Sequence, residues 1–179
     1  MRRGLLREAV TGIYRRHGTI AEADCLVGFS FGYRTDGDRP IPGTSNTALA
    51  SVIAQSYLAL PLILQWEVSA ALSPQPEHLW RIERHARRRQ YLDTHEVARQ
   101  ALGIMREHDY ATALILAHPH HIARANAVCL RLGMKTVVPD GLEQVGFDSK
   151  SEQPWTRRQP SWSVHETLAL AYYNPAGRL

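Results

Sequence analysis

The stretch YATALILAHPHHIARANAVCLRLGMKTVVP, residues 110–139, joins two apolar runs through an amphipathic one. The first apolar run, residues 110–117, predicts a buried strand. Residues 121–132 carry apolar side chains at helical spacing, and Gly133 is a typical stop signal, so a helix is predicted there. Residues 134–139 predict a second strand. A strand, a helix and a strand in this order form a βαβ unit, whose two strands pair in parallel.

The rest of the chain alternates in the same way. Strands are also predicted at residues 23–32 and 61–68, helices at 3–16, 46–59, 79–92, 94–109 and from Ser163 onward, and loops at 33–44 and 140–162. The helix N-caps are assigned to Ser45, to Asp93 with Glu96 as a capping box, and to Ser163 with Glu166. The predicted fold is therefore α/β. We expect a doubly wound, mainly parallel sheet in a Rossmann-like three-layer α/β/α arrangement, as one domain over residues 1–179.

Composition excludes several classes of protein. The chain has 179 residues, of which 44% are hydrophobic and 21% charged, and these values argue against disorder, coiled coil and collagen. Only two cysteines occur, Cys25 in an apolar run and Cys129 in an amphipathic one, and we expect both to be small buried hydrophobes in a reducing cytoplasm. No apolar run is long enough to span a membrane, so we expect no anchor.

Basic residues do not indicate nucleic acid here. Arginine far outnumbers lysine, but the net charge is only +4. The basic run at residues 81–89 wraps around its predicted helix instead of forming one stripe, which is typical of a solvated face. We therefore expect no nucleic-acid partner and no membrane partner.

The fold class locates the candidate site. In open parallel sheets, ligands bind outside the carboxyl ends of the strands, where the strand order reverses. The residues at the predicted strand ends are Gly28, Ser30 and Gly32 after the first strand, Gln65, Trp66 and Glu67 after the second, and His118, His120 and His121 after the third. The glycines permit close approach of a ligand to the backbone, although GFSFG is not the dinucleotide-binding GxGxxG pattern.

His121 and Arg124 are the most informative pair. They lie three residues apart in the first turn of the predicted helix 121–132 and so share one face. The free backbone N–H groups of a helix N-terminus favour an anion, and a guanidinium adds a bidentate donor. We expect Arg124 to bind a phosphate or carboxylate and His121 to act as hydrogen-bond donor or general acid/base.

A metal site is not predicted from the histidines. His118 and His120 are separated by a proline, and no cysteine or carboxylate stands nearby at ligand spacing. His118 remains a candidate donor or acid/base, while His120 is expected to be solvated. Thr94 and Glu96 are candidate ligand-binding residues, although a capping box alone would explain Asp93 and Glu96. Asn46, at the start of the helix 46–59, is a further ligand-binding candidate.

The order of motifs resembles that of the YdcF, SanA and ElyC-like family. The matching segments are an apolar strand into a glycine-bearing turn (Asp24 to Gly32), YLDTHE with Thr94 and Glu96, HHIARA with His121, Arg124 and Ala125, and a late helix with Glu166. The resemblance spans residues 23–173. It implies a Rossmann-like fold with a largely unassigned activity, S-adenosylmethionine binding for YdcF, and ligand-binding roles for Thr94, Glu96, Arg124 and Glu166.

Departures from the family pattern suggest a specialised substrate. Ala117 and His118 stand where the family has Thr-Ser, and QWEVSA replaces an expected Ser-Gly-Gly turn after the second strand. The Trp66–Glu67 pair would make a bulkier and more acidic wall than glycines. We expect no membrane anchor of the SanA or ElyC kind, so the cytoplasmic YdcF branch is the closer match.

Two functions remain open from the sequence. The first is an enzyme acting on an anionic or nucleotide-like small molecule at the carboxyl edge of the sheet, with a transferase favoured over a hydrolase, in a dedicated biosynthetic pathway. Its catalytic candidates are His118, His121 and Glu67, because titratable groups gather where a pure binder needs only complementary contacts. The alternative is a non-catalytic regulatory protein that binds S-adenosylmethionine or a nucleotide. The sequence leaves the cofactor and the oligomeric state unassigned.

Overall fold

The computed structural model of the protein describes residues 2–173. The helices are α1 (Arg2–Thr11), α2 (Thr44–Ser56), α3 (Trp66–Ala71), α4 (Thr94–Glu107), α5 (Pro119–Arg131) and α6 (Gln159–Tyr173). The strands are β1 (Cys25–Gly28), β2 (Arg34–Asp36), β3 (Arg39–Ile41), β4 (Leu62–Gln65), β5 (Leu79–Ile82), β6 (Thr112–Leu116) and β7 (Lys135–Val137). Short 3-10 turns occupy Ile20–Glu22 and Pro154–Thr156. The predicted domain, 1–179, includes residues 1 and 174–179, which lie outside the described residues.

Five parallel strands form the main sheet, in the order β5-β4-β1-β6-β7. The residues of β1, β4 and most of β6 are buried and mainly apolar, as expected when helices cover both faces of a sheet. Helix α2 packs on α3, and α4 packs on α5. The predicted Rossmann-like α/β fold is confirmed.

The strand order reverses at β1. From β1 the chain continues to β4 and β5 on one side, then crosses to β6 and β7 on the other. At the reversal, Gly28 of β1 pairs with Leu116 of β6, and the Phe29 N–H donates to the Leu116 carbonyl at 2.8 Å. The crevice beyond these two strand ends is where an open α/β sheet binds its ligand.

The predicted helix at 79–92 is wrong. Leu79–Ile82 forms the edge strand β5 and pairs in parallel with β4, with Leu62 opposite Leu79. Trp80 packs beside His108 with ring centroids 4.5 Å apart. The residues that follow are mostly exposed, and Arg89 adopts a φ of 61°. Because β5 is a strand parallel to β4, the basic segment after it lies at the carboxyl edge of the sheet.

Two predicted strands extend too far. The strand expected over 23–32 ends at Gly28, and the one expected over 61–68 ends at Gln65, where α3 begins. In both places the apolar run continues beyond the strand because its side chains still pack inward. The loop predicted at 33–44 contains the antiparallel hairpin of β2 and β3.

Several helix boundaries also differ from the predictions. Helix α1 ends at Thr11 instead of residue 16, because Gly12 adopts a φ of 70°. Gly43, not Ser45, is the N-cap of α2, and the Ser45 hydroxyl donates to the Gly146 carbonyl. Helix α6 begins within the predicted 140–162 loop, and the Ser163 hydroxyl donates to the carbonyl of Gln159. Ser163 and Glu166 therefore do not form a cap.

The predicted start of α5 at residue 121 is also wrong. The helix begins at Pro119, with His118 as its N-cap. A proline suits the first helical position because its missing N–H would have no intrahelical partner there. Within residues 2–173, no helix is long and apolar enough to cross a membrane.

Candidate functional site

A cavity of about 380 Å³ lies at the carboxyl edge of the sheet. We call it the site cavity. Its lining comes from the turn after β1 (30–32), the end of β4 (Gln65), the residues that lead into α4 (91–94), the face of α5 (His121 and Arg124), the segment 153–156 and helix α6. Six separate chain segments therefore meet where the strand order reverses.

Four of the predicted residues form one buried polar network, namely His121, Thr94, Arg124 and Glu166. The Thr94 hydroxyl lies 3.1 Å from His121 Nε2 and accepts from Arg124 Nη1 at 2.5 Å. Arg124 Nε donates to Glu166 Oε1 at 2.7 Å. All four residues are buried. Residues from α4, α5 and α6, far apart in sequence, are thus brought together at one place.

The charge of Arg124 is compensated within the protein. Glu166 is fully buried behind Arg124 and does not line the site cavity. Burial raises the pKa of Glu166, while the Arg124 charge opposes that shift. The guanidinium also lies 5.8 Å from the centre of the Trp162 ring. In the wall of the site cavity, Arg124 is therefore one half of an ion pair rather than an isolated positive charge.

His121 is held neutral. Burial, with the Arg124 charge as the second cause, lowers its pKa well below the ordinary value. The Nε2 atom of His121 faces the Thr94 hydroxyl. Its Nδ1 atom has no hydrogen-bond partner of good geometry among the described residues. The Ser30 backbone lies close enough to the imidazole to oppose part of the lowering of the pKa. A neutral imidazole can accept a proton or donate a hydrogen bond.

The N-terminus of α5 is closed by His118, not open to an anion. His118 Nδ1 accepts from the His120 N–H at 3.3 Å, and its carbonyl accepts from the N–H groups of His121 and Ile122. The His118 ring is buried and stacks on Phe31 at 3.8 Å, and burial lowers its pKa to about 3. His118 does not line the site cavity.

His120 is not the solvated side chain that the sequence suggests. It is half-buried, and its Nδ1 lies 2.8 Å from the carbonyl of Ala9 in α1. Its own carbonyl accepts from Trp162 Nε1 at 3.0 Å. His120 therefore ties α5 to α1 and to α6, and it lies outside the site cavity.

The turn after β1 is shaped by Asn46 and Gly32. Asn46 Oδ1 accepts from the Phe31 N–H at 2.8 Å, and Nδ2 donates to the Gly32 carbonyl at 2.6 Å. Gly32, with a φ of 72°, lines the cavity, and a side chain there would collide with the hydroxyls of Ser151 and Thr156. Asn46 lies behind the turn, and Gly28 packs against Leu64; neither lines the cavity.

Glu96 points away from the site cavity. Asp93 Oδ1 accepts from the Glu96 N–H at 2.8 Å, which confirms the predicted N-cap. The Glu96 carboxylate does not complete a capping box, because it accepts from Arg99, Gln100 and the N–H of Ala86. These contacts, Arg99 foremost, lower its pKa to about 2. Glu96 anchors the basic segment after β5.

Glu67 lines a different cavity, of about 620 Å³, which we call the second cavity. It belongs to α3 and is only 5% exposed. Burial raises its pKa to about 7, and Oε2 has no hydrogen-bond partner among the described residues. The two cavities share the lining residues Gln65, Tyr91, Leu92, Gln153 and Trp155. Glu67 is therefore a neighbour of the polar network, not a member of it.

Aromatic side chains that were not predicted form much of the wall. Trp155 stacks on His165 with centroids 4.9 Å apart, and Trp162 contacts the edge of His121 at 5.6 Å. Tyr91 lines both cavities. In the sequence, the feature that points to these residues is the occurrence of two tryptophans and a histidine close together, within residues 155–165. Residues 155–162 lie in the predicted 140–162 loop, for which the sequence gives no orientation of the side chains.

Within the part of the chain that the structure describes, no three His, Cys, Asp or Glu side chains are grouped so that they could hold a metal ion. Cys25 and Cys129 are buried and free.

Comparison with models of known protein families finds no match for this chain, and no curated protein matches it significantly.

Proposed function

We propose that this protein is a small-molecule enzyme that acts on an anionic, nucleotide-like substrate in the site cavity. The observation that carries the proposal is the buried polar network of His121, Thr94, Arg124 and Glu166. It reaches the cavity at the reversal of strand order, which is where this fold binds ligands. A purely structural network would not need to reach a cavity wall.

The shape and lining of the cavity favour a ligand with a flat ring. Its volume of about 380 Å³ falls in the range of small-molecule sites. Trp155, Trp162 and Tyr91 offer apolar faces for stacking, while Gln65 and Ser30 offer polar contacts. Among the described residues, Arg124 is the one lysine or arginine in the lining, so it is our candidate contact for a phosphate or carboxylate.

The chemistry we propose centres on His121. As a neutral imidazole it can take a proton from a bound substrate, and Arg124 stabilises negative charge that develops nearby. Phe29, Phe31 and Trp162 surround the imidazole and limit the access of water. That enclosure favours transfer of a group to a second substrate over hydrolysis.

We also propose membership of the YdcF-like family, with action in the cytoplasm in a dedicated biosynthetic pathway. The family assignment is supported by Thr94, His121, Arg124 and Glu166, which carry the resemblance in sequence and lie together in space. Two free, buried thiols fit a reducing compartment.

A non-catalytic protein that binds S-adenosylmethionine or a nucleotide is the competing function. It is favoured by the compensation of Arg124 by Glu166, because a rigid, neutral network also suits a site that only binds. We propose the enzyme first, since a buried neutral histidine beside a hydroxyl and a guanidinium is a costly arrangement for binding alone.

The enzyme and the non-catalytic binding protein can be distinguished by two measurements. The first is calorimetric titration with ATP, S-adenosylmethionine and coenzyme A, and the second is mass spectrometry of each mixture. The enzyme yields a product from at least one compound, whereas the binding protein returns it unchanged. His121→Gln should abolish turnover, and Arg124→Gln should weaken binding at least tenfold. Arg131→Gln, in the last turn of the same helix and outside the site cavity, is the matched control. Absence of binding by every compound would overturn the proposal.

A further inference from the structure

Glu67 stands at a distinctive place in the sheet. It follows the carboxyl end of β4, the strand directly beside β1. In doubly wound sheets that bind nucleotides, an acidic side chain associated with the first βαβ unit accepts hydrogen bonds from the ribose hydroxyls. The topology therefore puts a carboxylate where such a fold recognises a sugar.

The carboxylate of Glu67 is only partly satisfied: Ser30 and Gln65 lie close enough to oppose the rise in its pKa, but one of its oxygens has no partner among the described residues. The residue is 5% exposed, and its Oε2 has no hydrogen-bond partner of good geometry among residues 2–173. A buried carboxylate oxygen without a hydrogen-bond partner costs stability, so natural structures seldom keep one without a use. Because Glu67 lines the second cavity, a ligand in that cavity can supply the missing donors.

One ligand can reach both Glu67 and the polar network. The second cavity and the site cavity share five lining residues, among them Tyr91 and Trp155. Burial raises the pKa of Tyr91, and the charges of Glu67 and Arg124 act on that pKa in opposite directions, so Tyr91 lies within reach of both groups. A nucleoside whose ring lies against Tyr91 and Trp155 would extend into both cavities.

We propose that Glu67 and the second cavity form a subsite for the vicinal hydroxyls of a ribose, so that the substrate is a ribonucleoside or ribonucleotide. This inference rests on the proposed function and specifies its substrate class. The ionised carboxylate accepts from both hydroxyls of the diol, and the raised pKa of Glu67 makes binding stronger above neutral pH than below it.

The test compares adenosine with 2′,3′-dideoxyadenosine by calorimetric titration at about pH 8, where Glu67 is ionised. The wild-type protein should bind adenosine about tenfold or more tightly, since hydrogen bonds to a charged group are the strong ones. Glu67→Ala should remove most of that preference while leaving dideoxyadenosine binding unchanged, which also reports that the variant is folded. Glu83→Gln, an exposed carboxylate lining the same cavity, is the control.

Equal affinity of the wild-type protein for both nucleosides, or no measurable binding of either, would overturn the subsite. An unchanged preference in Glu67→Ala would do the same. If ATP, S-adenosylmethionine or coenzyme A still binds in an Arg124-dependent way, the subsite alone fails. If none of them binds either, the proposed function fails with it.

Discussion

Arg124 Nε donates to Glu166 Oε1 at 2.7 Å, and both side chains are almost entirely removed from solvent. The pair joins α5 to α6 and holds the guanidinium against the Thr94 hydroxyl. Because the Trp162 and His165 side chains also come from α6, the same ion pair fixes the helix that supplies part of the aromatic wall.

Glu166→Gln should destabilise the protein by about 3 kcal/mol or more, because it leaves a buried guanidinium without its counter-charge. Denaturant unfolding measures this change. The exposed pair of Arg16 and Asp140 is the control, and Asp140→Asn should cost at most about 1 kcal/mol. If Glu166→Gln and Asp140→Asn lose the same free energy of unfolding, the buried ion pair contributes no more to stability than the exposed one.

Replacing Thr94 tests the hydroxyl at the centre of the network. Thr94→Val keeps the volume but removes the partner of Arg124 and His121, so we expect a loss of about 1–3 kcal/mol in the free energy of unfolding. Thr94→Ser retains the hydroxyl and should fall close to wild type. A Thr94→Val variant as stable as wild type would show that the hydroxyl contributes nothing to the stability of the network.

His118 should make the protein sensitive to acid. Its pKa is about 3 in the folded state, below its ordinary value, so the unfolded chain binds a proton more readily and stability falls as the pH drops below about 6.5. The expected contribution is about 2 kcal/mol between pH 6.5 and pH 5. His118→Asn, which can still cap α5, should reduce the wild-type pH dependence by that amount. Parallel stability curves would refute this origin of the acid sensitivity.

Glu67 should make the protein less stable at high pH, the opposite of the effect of His118. Its pKa is raised to about 7, so the folded state binds the proton more tightly and stability is lost as the pH rises from the ordinary value of 4.5 through 7. Relative to wild type, Glu67→Gln should therefore gain up to about 3 kcal/mol between pH 4.5 and pH 8. Urea unfolding of both proteins at pH 4.5 and pH 8 measures this gain. If the difference in free energy of unfolding between wild type and Glu67→Gln is the same at both pH values, the pKa of Glu67 is not raised.

The sheet and part of the site follow from local patterns. Residues 110–139 predict β6, α5 and β7 because both strands and the helix face have clear periodicity. His121 and Arg124 follow from the rule that ligands bind at strand ends. Their partner Glu166 came from a family resemblance, since nothing local connects α5 with α6.

The remainder depends on tertiary contacts. Leu79–Ile82 is a strand only because β4 offers it a partner, and its own arginine-rich flank looks helical. The closure of the α5 N-terminus by His118 depends on Phe31, which stacks on the ring from a distant turn. Likewise, Trp155 and Trp162 line the cavity from a 3-10 turn and from the first turns of α6, both within the loop that the sequence predicts at 140–162.

The central claim is that the site cavity performs chemistry and does not only bind. The most direct measurement incubates the purified protein with a mixture of cellular nucleotides and cofactors and follows every mass over time. We predict that one nucleotide-like anion is consumed and a product accumulates in equal amount, and that His121→Gln leaves the mixture unchanged. A wild-type protein that retains a ligand but converts none of it would contradict the claim.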